Sequence, residues 1–155
     1  MRSSMSRLWL AVAVLICLLP VMSQTARAQT IPGNARVQPA ALAAMLHSAH
    51  PPMVLQVGFH TLFEEAHIPA AIYAGPASSP KGLQLLRQTV ATLHKSTPIV
   101  IYCGCCPWTH CPNIRPAFQQ LRHLGFTHVK VLYLAHNFGT DWIQAGYPVT
   151  HGDTK

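Results

Sequence analysis

Four of the chain's five cysteines fall within nine residues, Cys103-Gly-Cys-Cys-Pro-Trp-Thr-His-Cys111. Thiols this close together close only tiny loops and cannot staple distant segments as a disulfide framework does. They therefore read as a site. The chemistry open to it is nucleophilic sulfur transfer, thiol–disulfide exchange or soft-metal binding, because the thiolate is both nucleophile and metal ligand. Position favours Cys103 as the nucleophile. It follows Ile99-Val100-Ile101-Tyr102, the strongest strand signal in the chain, and a helical pattern begins at Ile114. At such a strand-to-helix junction, N–H groups point at an anion and the helix dipole favours negative charge. The amides of Gly104, Cys105 and Cys106 are then the expected anion-binding groups around Cys103.

The remaining sulfurs admit three roles that spacing does not separate. Cys106 or Cys111 could be a resolving thiol that attacks a persulfide or disulfide on Cys103. Two to four of the cysteines, Cys105 included, could bind zinc or copper(I) with His110, the narrowest set being Cys106, His110 and Cys111. A disulfide such as Cys106–Cys111 could simply pin a long loop. Only the second of these needs a cofactor. Covalent haem is excluded, since Cys106 is followed by Pro107 and no C-x-x-C-H string exists.

The elements that must position the loop alternate in type. Helical spacing appears over Ala40–His47, Lys81–His94, Ile114–Leu124 and, briefly, Asp141–Ala145. Strand-like runs lie at Met53–Val57, Ala71–Tyr73, Ile99–Tyr102 and Val129–Tyr133. Asn113 is the expected N-cap of the third helix, and Gly125 its terminating glycine. Apolar strands alternating with helices predict an α/β fold, a mainly parallel central sheet flanked by helices on both faces.

These pieces resemble the rhodanese-like domains. Val54-Leu55-Gln56-Val57 matches the family's first core strand, and Ala66-His-Ile-Pro-Ala-Ala-Ile72 its G-H-I-P-G-A-I segment. Ile99-Val-Ile-Tyr-Cys103 matches the strand that ends at the catalytic cysteine. Leu121–Phe126 matches the L-x-x-L-G-F helix end, and Trp142–Val149 the W-x-x-A-G-x-P-V tail. The resemblance implies a sulfurtransferase in which Cys103 takes a sulfane sulfur from a donor, becomes a persulfide and passes the sulfur to a thiol or cyanide. Two departures stand out. The family's D-V-R is replaced by Gln56-Val57-Gly58. The active loop is about four residues longer than the family's C-x-x-G-x-R-S and holds no arginine, which puts thiosulfate binding in doubt. A C-x5-R phosphatase motif is absent, the first arginine after Cys103 being Arg115.

Residues 1–28 carry a basic start, an apolar run over Leu8–Leu19 and an Ala26-Arg-Ala28 site, the pattern of a secretory signal peptide. Twelve apolar residues fall short of the ~20 of a spanning helix, so no stable membrane insertion is expected after cleavage. Residues 29–37 read as a short tether, 38–150 as the domain and 151–155 as a tail. The formal charge of +7 drops to +4 without residues 1–28, and the remaining eight bases are scattered, which argues against nucleic acid as a partner. The expectation is an exported protein, periplasmic or secreted, whose partners are a small sulfur donor, a thiol acceptor or an exported redox protein. Among other residues, His67 reads as a structural hydrogen-bonder, His136 could approach the loop, and Trp108 could cap it against a ligand. Phe138 and Trp142 read as packing. Two alternatives compete with sulfur transfer: a non-enzymatic metal-binding or docking module, and a thiol–disulfide redox protein.

Overall fold

The computed structural model describes residues 31–153. The expected signal peptide lies outside them. A parallel five-stranded sheet forms the centre, from β1 (Arg36–Val37), β2 (Met53–Gln56), β3 (Ile72–Tyr73), β4 (Ile99–Tyr102) and β5 (Val129–Leu132). Its spatial order is β1-β5-β4-β2-β3, and every pairing is parallel. β4 is therefore central and buried along its whole length, which is why it reads as an unbroken Ile-Val-Ile-Tyr run.

Side-chain alternation along the strands splits the core in two. Leu55, Ile99, Ile101 and Val131 face α3 (Pro80–Thr89) and α4 (Ile114–His123). Val54, Val100, Tyr102 and Leu132 face α1 (Pro39–Leu46) and α2 (His60–Glu65), with Phe138 and Trp142. The period of two continues past β4, so Cys103 falls on the α3–α4 side beside Ile101.

Several boundaries differ from the pattern in the sequence. The segment expected as a tether contributes instead to the sheet: Ile31, Ala35 and Val37 are buried, and Arg36–Val37 pair with Val131–Leu132 at the edge. α3 ends at Thr89, five residues early. There the chain enters a turn in which Val90 has φ −103° and ψ 5°, and the apolar spacing continues through Leu93 without helix. The last helical piece is a single π-type turn over Gly139–Ile143, closed by the Gln144 N–H donating to the Gly139 carbonyl. α4 ends as expected: Gly125 has φ +89°, and the Phe126 N–H donates to Leu121 C=O while the Gly125 N–H donates to Arg122 C=O, a Schellman closure. The residues expected as a tail are tied down through Gly152, whose N–H donates to Glu64 C=O.

Ala70 is the one described residue other than glycine with positive φ, +61°. It stands where the resembling G-H-I-P-G-A-I motif has its second glycine, in an exposed turn before Ala71 returns an N–H to Ile68 C=O. A side chain in the left-handed region costs about 1–2 kcal/mol. Ala70→Gly is accordingly expected to stabilise the domain by about 1 kcal/mol in denaturant unfolding, despite the entropy glycine adds to the unfolded chain.

Candidate active site

The cysteine loop leaves the carboxyl end of β4, the end of a parallel sheet at which ligands bind in α/β folds. A cavity of about 260 Å³ opens there, lined by Gln56 from β2, Tyr102–Cys105 from β4 and its loop, and Asn137–Gly139 beyond β5. Glu65 is its one charged lining residue; no Lys or Arg reaches it among the described residues. A larger open groove of about 1030 Å³ lies at the opposite end of the sheet, by Pro98, Ile99 and Val129, and no cysteine of the loop lines it.

Cys103 is 3% exposed and fixed from three directions. The buried Gln56 amide donates from Nε2 to the Cys103 carbonyl at 3.0 Å, and its Oε1 accepts from the Gly58 N–H at 3.2 Å. Gly58 itself lies against Cys103: a Cβ there would stand 2.8 Å from its carbonyl oxygen and 2.9 Å from its sulfur. Opposite, Asn113 Nδ2 donates to Cys103 Sγ at 3.3 Å, and the Cys105 N–H also donates to that sulfur. Asn113 stands at the N-cap position of α4 as the sequence suggests, but its side chain does not cap the helix. It is fully buried, in the αR region, and makes no capping bond. Its Oδ1 accepts instead from Ser78 N–H at 2.8 Å, so the turn before α3 orients the amide that faces the cysteine. That turn closes tightly because Gly82 lies against Pro76, where any Cβ would meet main chain at 2.0 Å.

The loop's path is fixed by the segment after β5. Gly104, at φ +95°, would bring a Cβ to 3.2 Å from the Phe138 side chain, and its carbonyl accepts from the Phe138 N–H. The Trp108 N–H donates to Leu134 C=O, and its indole packs on Tyr133 beneath Arg36. Trp108 thus anchors the loop to the β1–β5 edge and does not line the cavity. His136 is likewise outside it, exposed and paired with Asp141 at 2.9 Å. His67 is buried, stacked on Phe63 at 3.9 Å with Nδ1 on the Phe63 carbonyl, a structural position.

The four loop cysteines are free thiols in this structure. The sulfurs of Cys103, Cys105 and Cys111 lie within 4.8 Å of one another, a set that could hold a soft metal. The narrow ligand set Cys106–His110–Cys111 is not assembled. His110 is exposed with Nδ1 on Thr109 Oγ1, and the Cys106 sulfur, half-buried, sits 3.0 Å from that of Cys105. Cys105 replaces them because it lies only two residues from Cys103, with its sulfur 3.3 Å away.

Charge is unequally divided among these thiols. Cys111 lies two residues before the N-cap of α4, and hydrogen bonding from the Cys103 thiol, then from the N–H groups of Asn113 and Ile114, lowers it to about 6 against the opposing effect of burial. Cys103 moves the other way, raised first by acting as the donor to Cys111 and next by burial. Burial and its cysteine neighbours push Cys106 up to about 12. Within the Cys103–Cys111 pair, Cys111 is therefore the thiol favoured to ionise.

A sequence profile of the rhodanese-like domain matches residues 38–134. The chain belongs to the rhodanese-like domain family. Solved rhodanese-like structures share its fold. The Alr3790 protein of Anabaena sp. is 22% identical over 76% of this chain and 94% of its own, with a TM-score of 0.58. A thiosulfate sulfurtransferase from Pseudomonas aeruginosa is 19% identical over 77% of this chain and 21% of its own, also at 0.58. The polysulfide-sulfur transferase homodimer of Wolinella succinogenes is 14% identical over 76% and 78%, at 0.56. No curated protein matches the chain. Within this rhodanese-like domain, Gln56, Gly58 and Asn113 are the site residues that sequence reasoning missed. The Gln-Val-Gly departure from D-V-R was the available signal for the first two.

Two substitutions test this geometry. Gly58→Ala forces a Cβ into Cys103 and is expected to cost about 1–3 kcal/mol of stability, read from denaturant unfolding. Asn113→Asp keeps the acceptor for Ser78 but turns a carboxylate toward the cysteine sulfur. It should slow alkylation of Cys103 by about tenfold or more, followed by peptide-resolved mass spectrometry.

Proposed function

We propose that this rhodanese-like domain is a sulfurtransferase that carries sulfane sulfur as a persulfide on Cys103. The observation that carries the reading is the setting of Cys103: it ends the central strand, opens into the cavity, and has its sulfur hydrogen-bonded by Asn113 Nδ2 and the Cys105 N–H. These donors suit a sulfur anion, and they take the place of the loop arginine. As Cys103 attacks the outer sulfur of the donor, its proton passes to the Cys111 thiolate and the donor's leaving group departs. The sulfur stays on Cys103 as a persulfide anion, and a thiol acceptor then removes it.

The cavity's composition bears on the donor. With Glu65 as its one charged residue and no base, it offers a dianion such as thiosulfate little attraction, whereas a persulfide or polysulfide brings less charge to be held. Export belongs to the same proposal, supported by the signal pattern over residues 1–28, with a small sulfur donor, a thiol acceptor or an exported redox protein as partner.

A second reading has one specific support, the Cys103–Cys105–Cys111 sulfur set. Three thiolates without imidazole suit copper(I) better than the closed four-ligand zinc site. Metal there would consume the nucleophile, so the two readings exclude each other at any one moment. Metal analysis of protein purified without chelator separates them, stoichiometric copper or zinc favouring the second.

Reduced protein given an alkyl persulfide should load sulfur on Cys103, read as an adduct of about 32 Da on that residue at the earliest times, before the sulfur moves on, and Cys103→Ser should gain none. Thiosulfate should be the poorer donor by kcat/KM. Because the proton acceptor Cys111 is lowered to about 6, it is thiolate above that pH and thiol below. The loading rate should therefore fall as pH drops through about 6 and level off above it. A rate limited instead by an ordinary thiol would keep rising to about pH 8.5.

A further inference from the structure

The sulfur-transfer reading leaves a buried nucleophile without a final role: Cys111, 7% exposed, with its sulfur within 4.8 Å of those of Cys103 and Cys105. We propose that Cys111 resolves the Cys103 persulfide, releasing its outer sulfur as sulfide and leaving a Cys103–Cys111 disulfide. The proposal rests on the preceding one, since it needs the persulfide on Cys103.

Geometry selects Cys111 from the three possible resolving thiols. It shares the apolar pocket of Cys103 on the α3–α4 side of the sheet, flanked by Ile101 and Ile114. The N–H groups of Asn113 and Ile114 point at its sulfur and hold it at the start of α4. A disulfide bond of about 2 Å requires only a short approach of these two sulfurs. Cys105, though its sulfur is 3.3 Å from that of Cys103, is separated by the single residue Gly104, and so small a ring stores strain. Cys106 has its sulfur on Cys105 and stands outside the Cys103–Cys105–Cys111 set.

The step balances. After loading, Cys103 bears a persulfide anion and Cys111 holds the proton that Cys103 gave up. The Cys111 sulfur attacks the inner, Cys103 sulfur; the S–S bond to the outer sulfur breaks, and that sulfur leaves with the Cys111 proton as hydrosulfide. The sulfane sulfur gains two electrons and the two cysteine sulfurs lose them on becoming a disulfide. Returning the loop to its dithiol form takes two electrons from an external dithiol. The exposed Cys105 beside Cys103 gives such a reductant a thiol at the surface. The cycle is then a reductive release of sulfide, not only a passage of sulfur to an acceptor.

A single-turnover experiment on the reduced protein, with glutathione persulfide as donor and excess donor and thiol removed at once, tests it. The wild-type protein is expected to release about one equivalent of sulfide and to end about 2 Da lighter than its reduced form, with peptide mapping placing the disulfide between Cys103 and Cys111. Cys111→Ser and Cys111→Ala lack the proton acceptor and load more slowly, so donor is left with them until loading is complete; both are then expected to keep the persulfide on Cys103, about 32 Da heavier, and to release at least tenfold less sulfide. A stable persulfide on wild-type Cys103 without sulfide overturns the resolving role while leaving sulfur transfer intact. So does undiminished release from both Cys111 variants, or a disulfide mapped to Cys105 or Cys106. No persulfide in wild type or in either Cys111 variant, and no sulfide from any of them, overturns both readings together.

Discussion

A charge that one of two paired cysteine sulfurs, Cys111, is favoured to carry organises this site. Cys103 arrives at the end of the central strand and Cys111 at the start of the helix packed on the same side of the sheet. Neither would be activated alone: burial in an apolar cluster disfavours the ionised form of both. The first-turn N–H groups of α4 and the hydrogen bond from the Cys103 thiol reverse that penalty at Cys111. The thiolate so formed is available to take a proton from Cys103. Every close approach nearby serves this pairing. Gly58 makes room for Cys103, Gln56 fixes its carbonyl, and Asn113 links its sulfur to the turn before α3.

Much of the scaffold was legible because it follows from period. The all-apolar run Ile99–Tyr102 marks a strand buried on both faces, and the stripe Ile114, Ala117, Phe118, Leu121 marks the helix that covers it. Where propensity and packing disagreed, packing won. Gly-Asn-Ala-Arg-Val reads as a polar lead-in, yet two of its residues become the sheet edge because β5 presents an open side for pairing. The helical spacing of Lys81–His94 outlasts the helix itself, since Val90 and Leu93 stay in the apolar cluster from a turn.

The site was legible in outline only. That Cys103 ends a strand at the ligand-binding end of the sheet could be read from Tyr102-Cys103-Gly104 and the helix beyond. Which sulfurs meet could not, because a long loop brings residues together by its main-chain path. Here that path is set by bonds to the segment after β5, from Phe138 to Gly104 and from Trp108 to Leu134. The same path carries His110 out to solvent and brings Cys111 in. Asn113 misled for a physical reason: an asparagine before a helix is a good cap, but a fully buried one makes the partners that burial leaves it, here Ser78 and Cys103. The missing arginine also gains an account. A neutral donor, Asn113 Nδ2, faces the Cys103 sulfur where the resembling loop would bring an arginine.

Carbon NMR of the protein with labelled cysteine Cβ atoms, titrated from acid to alkaline pH, tests this charge assignment most directly by reading each thiol separately. Cys111 should titrate near pH 6 while Cys103 stays protonated through neutrality. Ionisation of Cys103 first, with Cys111 titrating as an ordinary thiol near about 8.5, would contradict the account.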